Sequence, residues 1–194
     1  MKLDPGVLAS LTMGRGLQGY LRILPLKHAA TPLGLGHGAT RFASSSGAFR
    51  VLYLGKTLQT AIAETMIRDR FVGRATRTLT DDDIEAWGVA EIRSTASLAL
   101  LDLRKTGSLR LGVPTNAIRG RAQASGRRLS EAVNAADAGI DGLLYPSRLT
   151  GGDCIAVYDR AVDKLAAGPV HEIVRLMALE PVLTSLNISL IRRT

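Results

Sequence analysis

This chain is poor in most of the features that give a function away. Among 194 residues it has one cysteine, Cys154, which excludes a disulfide framework and a cysteine-rich zinc site and fits a reduced compartment. Its three histidines, His28, His37 and His171, show no ligand spacing of the HExxH kind, so no metal is expected. No stretch reaches the ~18 to 20 apolar residues needed to span a bilayer. The apolar segment near the C-terminus is broken by Thr184, Ser185, Asn187 and Ser189. The N-terminus lacks the form of a signal peptide, and a cytoplasmic protein is expected. The common nucleotide-binding loops are missing: there is no GxGxxG after the first predicted strand and no GxxxxGK[ST]. A GxSxG elbow is absent too, so a serine-hydrolase triad has no support. Aromatic residues make up only 4% of the chain, and none interleaves with its basic run, which weakens a single-strand nucleic-acid reading.

What is present describes an ordinary globular chain. It is 46% hydrophobic with 20 Gly and 7 Pro, long enough to bury a core as one domain over residues 1–194. The net charge of +8 is unevenly spread. Residues 104–128 hold seven basic side chains and no acid, while Asp81, Asp82, Asp83 and Glu85 cluster just before. A basic surface attracts nucleic acid, phosphorylated ligands or an acidic protein.

Hydrophobic patterning places the elements coarsely. Residues 1–19, with glycines at 6, 14, 16 and 19, read as a loosely ordered entry. Residues 20–26 form a strand, and residues 28–47 a long loop of the kind that is usually functional or disordered. Residues 51–54 form a buried strand ended by Gly55. Thr57 is a good N-cap for a helix reaching about residue 70. Strands follow over 87–93 and 98–103, a short helix over 114–118, and a longer one over 129–138 with Gly139 as its C-cap. Two strands, 142–145 and 154–158, flank a glycine-containing loop. Residues 170–179 read as a helix stopped by Pro181, and 188–191 as a last strand. Strands and helices do not alternate regularly, so the expected class is α+β, with small mixed or antiparallel sheets flanked by helices.

A few residues stand out against that background. Arg22 sits among Tyr20, Leu21, Ile23 and Leu24, where a buried charge is costly without a partner. Arg41 follows the glycine-rich loop. Tyr53 lies mid-strand, where a tyrosine usually packs in the core with its hydroxyl tied off. Glu64 taken alone is a helix glutamate paired with Arg68 at i+4, worth a few tenths of a kcal/mol. Ser147 follows Tyr145-Pro146, ordinary turn chemistry. Cys154 reads as a small core residue, and His28 and His37 lie in the long loop near any ligand it covers.

Taken in order, Tyr20-Leu21-Arg22-Ile23, Arg41-Phe42, Val51-Leu52-Tyr53-Leu54 with Glu64 behind it, and Leu143-Leu144-Tyr145-Pro146-Ser147-Arg148 resemble the motifs of the RES-domain toxins. That family is named for an arginine, a glutamate and a serine, and the resemblance runs over residues 20–159. It implies a fold related to the ADP-ribosyltransferase toxins and a bacterial type II toxin–antitoxin pair, whose antitoxin partner carries an Xre-type helix-turn-helix domain. It also implies consumption of NAD, either by transfer of ADP-ribose to a protein target or by attack of water or phosphate. On this reading Glu64, Arg22 and Ser147 are catalytic, and Arg22, Arg41, Tyr53 and Ser147 bind NAD. The residue types suit the chemistry. Guanidinium groups bind phosphate oxygens with paired hydrogen bonds, and a carboxylate stabilises the positive charge that builds on a ribose as its glycosidic bond breaks. One departure stands out. The family's usual Gly-Arg-Trp-Asn is here Thr40-Arg41-Phe42-Ala43-Ser44, so the asparagine is missing, and Ser44, Ser45 or Ser46 is offered in its place. The competing reading is a non-enzymatic basic module that binds nucleic acid or a partner.

Overall fold

The alternation of apolar residues along the strands decides the architecture, as a computed structural model of the chain makes visible over residues 1–36, 40–136 and 139–192. The elements in chain order are α1 (Pro5–Leu11), β1 (Thr12–Arg15), β2 (Tyr20–Pro25), β3 (Val51–Gly55), α2 (Leu58–Ile62), β4 (Thr78–Thr80), α3 (Asp81–Glu85), β5 (Trp87–Ser94), β6 (Leu98–Asp102), α4 (Gly107–Arg110), α5 (Thr115–Arg119), α6 (Ala124–Ala136), β7 (Gly142–Pro146), β8 (Asp153–Tyr158), β9 (Leu165–Glu172), α7 (Leu179–Ser185) and β10 (Ser189–Ile191). Eight strands form one sheet in the order β1-β6-β7-β8-β3-β2-β5-β9. Only β6 and β7 pair in parallel within it, and α4, α5 and α6 lie in the long crossover that a parallel pair requires. The remaining two strands, β10 and β4, form a separate parallel pair. This is the expected α+β class.

Three apolar clusters explain why the strands are buried on both sides. Cys154, Ala156 and Tyr158 of β8 face a cluster with Phe42, Leu129 and Val133, roofed by α1, α5 and α6. Ile155 and Val157 face the opposite way, into a cluster with Leu24, Leu52, Ile92, Leu100 and Leu144. That second cluster draws on strands from both halves of the sheet and on no α-helix among the described residues. The sheet therefore folds over and packs on itself as a sandwich. A third cluster, with Ile23, Ile62, Ile84, Val89, Leu179 and Leu183, lies under α2, α3 and α7.

The halves meet at β2 and β3, which share a single register pair, Leu21 opposite Gly55. Away from that pair the strands part, and the gap opens a cleft through the sheet. Gly55 is where α2 comes closest: a Cβ there would stand 2.8 Å from the Ala61 nitrogen and 2.9 Å from its Cα. The Thr57 side chain caps α2 by accepting from the Thr60 N–H at 3.1 Å. After Ile62 the helix widens into a π turn over Ala63–Ile67, a distortion that recurs at functional sites.

Several expectations need correction. Residues 1–19 form α1 and β1, and Leu3, Leu8, Leu11 and Leu17 are buried; the glycines there hide a short helix capped by Asp4. Residues 170–179 are not one helix. Val170, Ile173, Val174 and Met177 mimic helical spacing, yet residues 165–172 pair with β5 as an edge strand, where Pro169 is tolerated because no ladder bond is asked of it. Pro181 does not stop a helix but sits in the first turn of α7, where a missing N–H costs little. The helix from Thr57 ends at the π turn rather than near residue 70. The acidic run was not read as an element. It forms α3, whose Thr80 and Asp83 make a capping box and whose carboxylates suit the positive end of the helix. The longer helix starts at Ala124, earlier than expected, and its predicted end at 138 lies outside the described residues. No helix among those residues is long and apolar enough to cross a membrane.

Gly55→Ala should lower stability by about 1–3 kcal/mol through overpacking against the α2 backbone. Urea unfolding monitored by circular dichroism checks this, with an unchanged midpoint as the contrary result.

Candidate active site

A cavity of about 300 Å³ fills the gap between β2 and β3. Its walls include Arg22 of β2, Arg41, Tyr53 of β3, Glu64 of the π turn, Arg68, and Tyr145 and Cys154 from β7 and β8. Of the five residues singled out from the sequence, four line this cavity; the fifth, Ser147, stands behind Glu64.

Glu64 is held through a single oxygen. Its Oε1 accepts from the Ser147 hydroxyl at 2.6 Å and from the Arg148 N–H at 3.1 Å. The Ser147 hydroxyl itself accepts from the Leu149 and Thr150 N–H groups, both at 3.1 Å. Its acceptor positions are thus filled and its proton is directed at Glu64. Ser147 is 1% exposed and absent from the cavity wall, with its hydroxyl turned to the carboxylate. The turn after β7 is locked to α2 by a bond between the Thr60 and Thr150 hydroxyls, 3.0 Å, and by Gly152, where a Cβ would stand 2.4 Å from the Thr60 hydroxyl. One carboxylate oxygen of Glu64 is therefore pinned. Among the described residues Oε2 takes no hydrogen bond.

Arg22 has found the partners its apolar neighbourhood demanded. Its guanidinium donates to the carbonyls of Pro32 and Gly34, each at 2.6 Å. Burial lowers its pKa to about 10, so it stays protonated at neutral pH. It both charges the cavity and holds the 32–36 stretch of the long loop against it. Arg41 is 5% exposed and donates one N–H to the Ile118 carbonyl at 2.6 Å. Its Nε–H is buried with no acceptor, a donor left over beside the cavity. Gly126 of α6 makes room for it, since a Cβ there would stand 2.5 Å from the Arg41 Cγ.

Tyr53 combines two roles. Its ring lines the cavity, while its hydroxyl accepts from the Phe42 N–H at 2.9 Å and bonds the Thr40 hydroxyl at 2.9 Å. Burial raises its pKa, against smaller contrary effects of these bonds. The serines offered for the missing asparagine turn elsewhere: Ser45 donates from its backbone and its hydroxyl, and Ser44 from its hydroxyl, to Glu131 of α6. None of Ser44, Ser45 and Ser46 is part of the cavity wall. Phe42 is fully buried and packs edge-on to Tyr145 with centroids 4.8 Å apart. Cys154 is a buried thiol whose pKa is pushed well up by burial, as a core residue would be. His28 is exposed and outside the cavity wall; His37 lies outside the described residues.

Sequence reasoning missed Arg68, which it treated as a surface partner of Glu64, and Gly126, which lies ahead of the helix expected from residue 129 and so gave no signal. Within the basic run Arg104 is engaged by Asp102 and Asp153, each at 2.7 Å, Arg110 by Ser10 at 3.0 Å, and Arg127 by the Thr40 carbonyl at 3.1 Å. Arg104 and Arg127 are half-buried, while Lys105, Arg110, Arg119, Arg121 and Arg128 are exposed.

Comparison with known proteins agrees with this layout. A family model described as the RES domain matches residues 20–180. Over 91 residues the chain is 35% identical to a Sinorhizobium fredii protein named "Probable toxin y4kH", covering 45% of this chain and 72% of that one. The fold is shared with a chain of the crystal structure of the M. tuberculosis MbcT-MbcA toxin–antitoxin complex. The match has a TM-score of 0.64 at 19% identity and covers 87% of this chain and 92% of that one.

Tyr53→Phe should strand the buried Phe42 N–H and cost about 1–3 kcal/mol of stability. Urea denaturation measures it; a loss well under 0.5 kcal/mol, the size expected of an ordinary surface substitution, would mean that the hydroxyl does not fix the loop.

Proposed function

This chain belongs to the RES-domain family, and on that premise we propose that it is the toxin of a toxin–antitoxin pair and acts in the cytoplasm by consuming NAD, with an Xre-type antitoxin as its partner. The names of the relatives support the toxin reading. The NAD reading rests on one observation above the others: a cavity that combines a pinned carboxylate with a half-buried arginine, Arg22, and a buried one, Arg41, which has a spare N–H. The residues fit a ligand with an anionic body and a sugar at which positive charge develops.

Each group has a task in that chemistry. Arg22 and Arg41 make the cavity positive and so favour an anionic dinucleotide; the Arg41 Nε–H donates to one of its oxygens. Tyr53 and Tyr145 supply ring walls against which a nicotinamide or ribose packs. Glu64 turns its Oε2 toward the ribose and stabilises the charge that grows as the nicotinamide–ribose bond breaks and nicotinamide leaves with the bonding electrons. Ser147 and the Arg148 N–H keep the carboxylate aimed. An acceptor oxygen or nitrogen of water, phosphate or a protein side chain then bonds to the ribose carbon and loses its proton to solvent. The competing reading as a basic binding module loses two of its seven cations, since Arg104 and Arg127 bond within the fold.

Glu64→Gln should slow NAD loss by roughly 10²- to 10³-fold while the fold is kept, the range seen when one preorganised electrostatic group is removed. Purified wild type and variant, each with NAD and cell lysate as a source of acceptors, test this. Labelled ADP-ribose on a discrete band marks transfer to protein, and NAD exhaustion without a band marks water or phosphate. A wild type that leaves NAD untouched contradicts the proposal.

A further inference from the structure

At the rim of the cavity, beyond Glu64, one carboxylate is shared by three guanidinium groups. Arg148 donates through Nη2 to Asp69 Oδ1 at 3.0 Å. The Arg121 Nε stands 3.7 Å from the same oxygen, and the Arg68 Nε 3.9 Å from Oδ2. Three positive charges against one negative leave two uncompensated. The three come from separate places: the end of the π turn, the segment between α5 and α6, and the turn after β7. Gathering like charges at one point is unfavourable, and here the chain does so beside the wall of its main cavity, to which Arg68 itself contributes.

Two further observations indicate an anion other than Asp69. The Arg148 Nε is buried and has no acceptor. Asp69 has a side chain 43% exposed, so an incoming group reaches the cluster from solvent. The inner arginines are meanwhile largely committed, both terminal nitrogens of Arg22 to the Pro32 and Gly34 carbonyls and one of Arg41 to Ile118. The two positive charges left at the rim equal the charge of a diphosphate ester.

We propose that Arg68, Arg121 and Arg148 form a diphosphate subsite at the cavity rim, and that Asp69 is a positioning residue that holds the three guanidiniums together and yields to the incoming diphosphate. This inference rests on the reading of the cavity as an NAD site. It places the diphosphate outside the inner arginines and leaves Arg41 for a polar group nearer the ribose. Asp69 competes with the ligand for the same donors, so its neutralisation strengthens binding. Loss of the arginines weakens it. Exposed ionic contacts are also screened by salt, which makes affinity at this subsite fall as ionic strength rises.

The test uses inorganic pyrophosphate as probe, with calorimetry on full-length protein carrying Glu64→Gln. In that background Arg68→Met with Arg121→Gln should weaken pyrophosphate about tenfold, a loss of ~1.4 kcal/mol, and Asp69→Asn should tighten it several-fold, which a misfolded variant would not do. With Glu64 intact, the double arginine variant should raise KM for NAD about tenfold and change kcat much less. Unchanged pyrophosphate affinity in both variants, or an unchanged KM for NAD, overturns the subsite while leaving NAD consumption standing. Arginine-dependent pyrophosphate binding by a protein that never consumes NAD keeps the subsite and removes the NAD reading.

Discussion

The site depends on one short hydrogen bond, from the Ser147 hydroxyl to Glu64 at 2.6 Å. It joins the π turn that follows β3 to the turn that precedes β8, the two central strands of the sheet. What places its two ends can be traced contact by contact. Thr57 caps α2 so that the helix starts directly after Gly55. Gly55 lets the helix backbone approach the sheet. The π turn then sets Glu64 facing Ser147, while the Thr60–Thr150 bond and Gly152 hold the opposing turn at the same distance. A carboxylate held by a hydroxyl and a backbone N–H keeps its direction with little freedom left, the preorganisation on which electrostatic stabilisation of a transition state depends.

Around that carboxylate the chain manages an excess of positive charge by giving buried arginines backbone carbonyls as partners. Arg22 takes those of Pro32 and Gly34, and Arg41 that of Ile118. A carbonyl satisfies a guanidinium N–H without neutralising it, so the cavity stays cationic although its arginines are held. This is a different solution from the one used away from the cavity, where Arg104 is paired with Asp102 and Asp153. There the charge is cancelled and the contact is structural. The same arginine contacts also recruit loops: Arg22 fixes 32–36, and the Tyr53 hydroxyl fixes Thr40 and Phe42. The described parts of the long segment between β2 and β3, which sequence alone leaves without structure, are held by groups that line the cavity.

How much of this was legible divides along the range of the interactions. Strands β3, β7 and β8 were clear because they are buried on both faces and read as continuous apolar runs. Arg22 was noticeable as a misfit, an arginine in an apolar strand, while Ser147 read as ordinary turn chemistry at a strand end. Their meaning came from resemblance, since neither the Pro32 carbonyl nor Glu64 is near in sequence. The π turn, the room Gly126 makes for Arg41 and the convergence of three arginines on Asp69 depend on contacts across the fold and left no local signal. Residues 170–179, the end of β9 and the turn after it, were misread as one helix; Val170, Ile173, Val174 and Met177 match a helical period by chance, while Met177 is in fact 97% exposed. The serines after Phe42 were plausible substitutes for an asparagine by type alone; Glu131, far along the chain, claims them.

The central claim is that Ser147 works through Glu64 and not on its own. A double-mutant cycle on the rate of NAD consumption tests this most directly. Ser147→Ala should slow the wild-type enzyme clearly and have almost no further effect once Glu64→Gln is present. An equal fold-loss from Ser147→Ala in both backgrounds would contradict the account and give the serine an independent contact with the substrate.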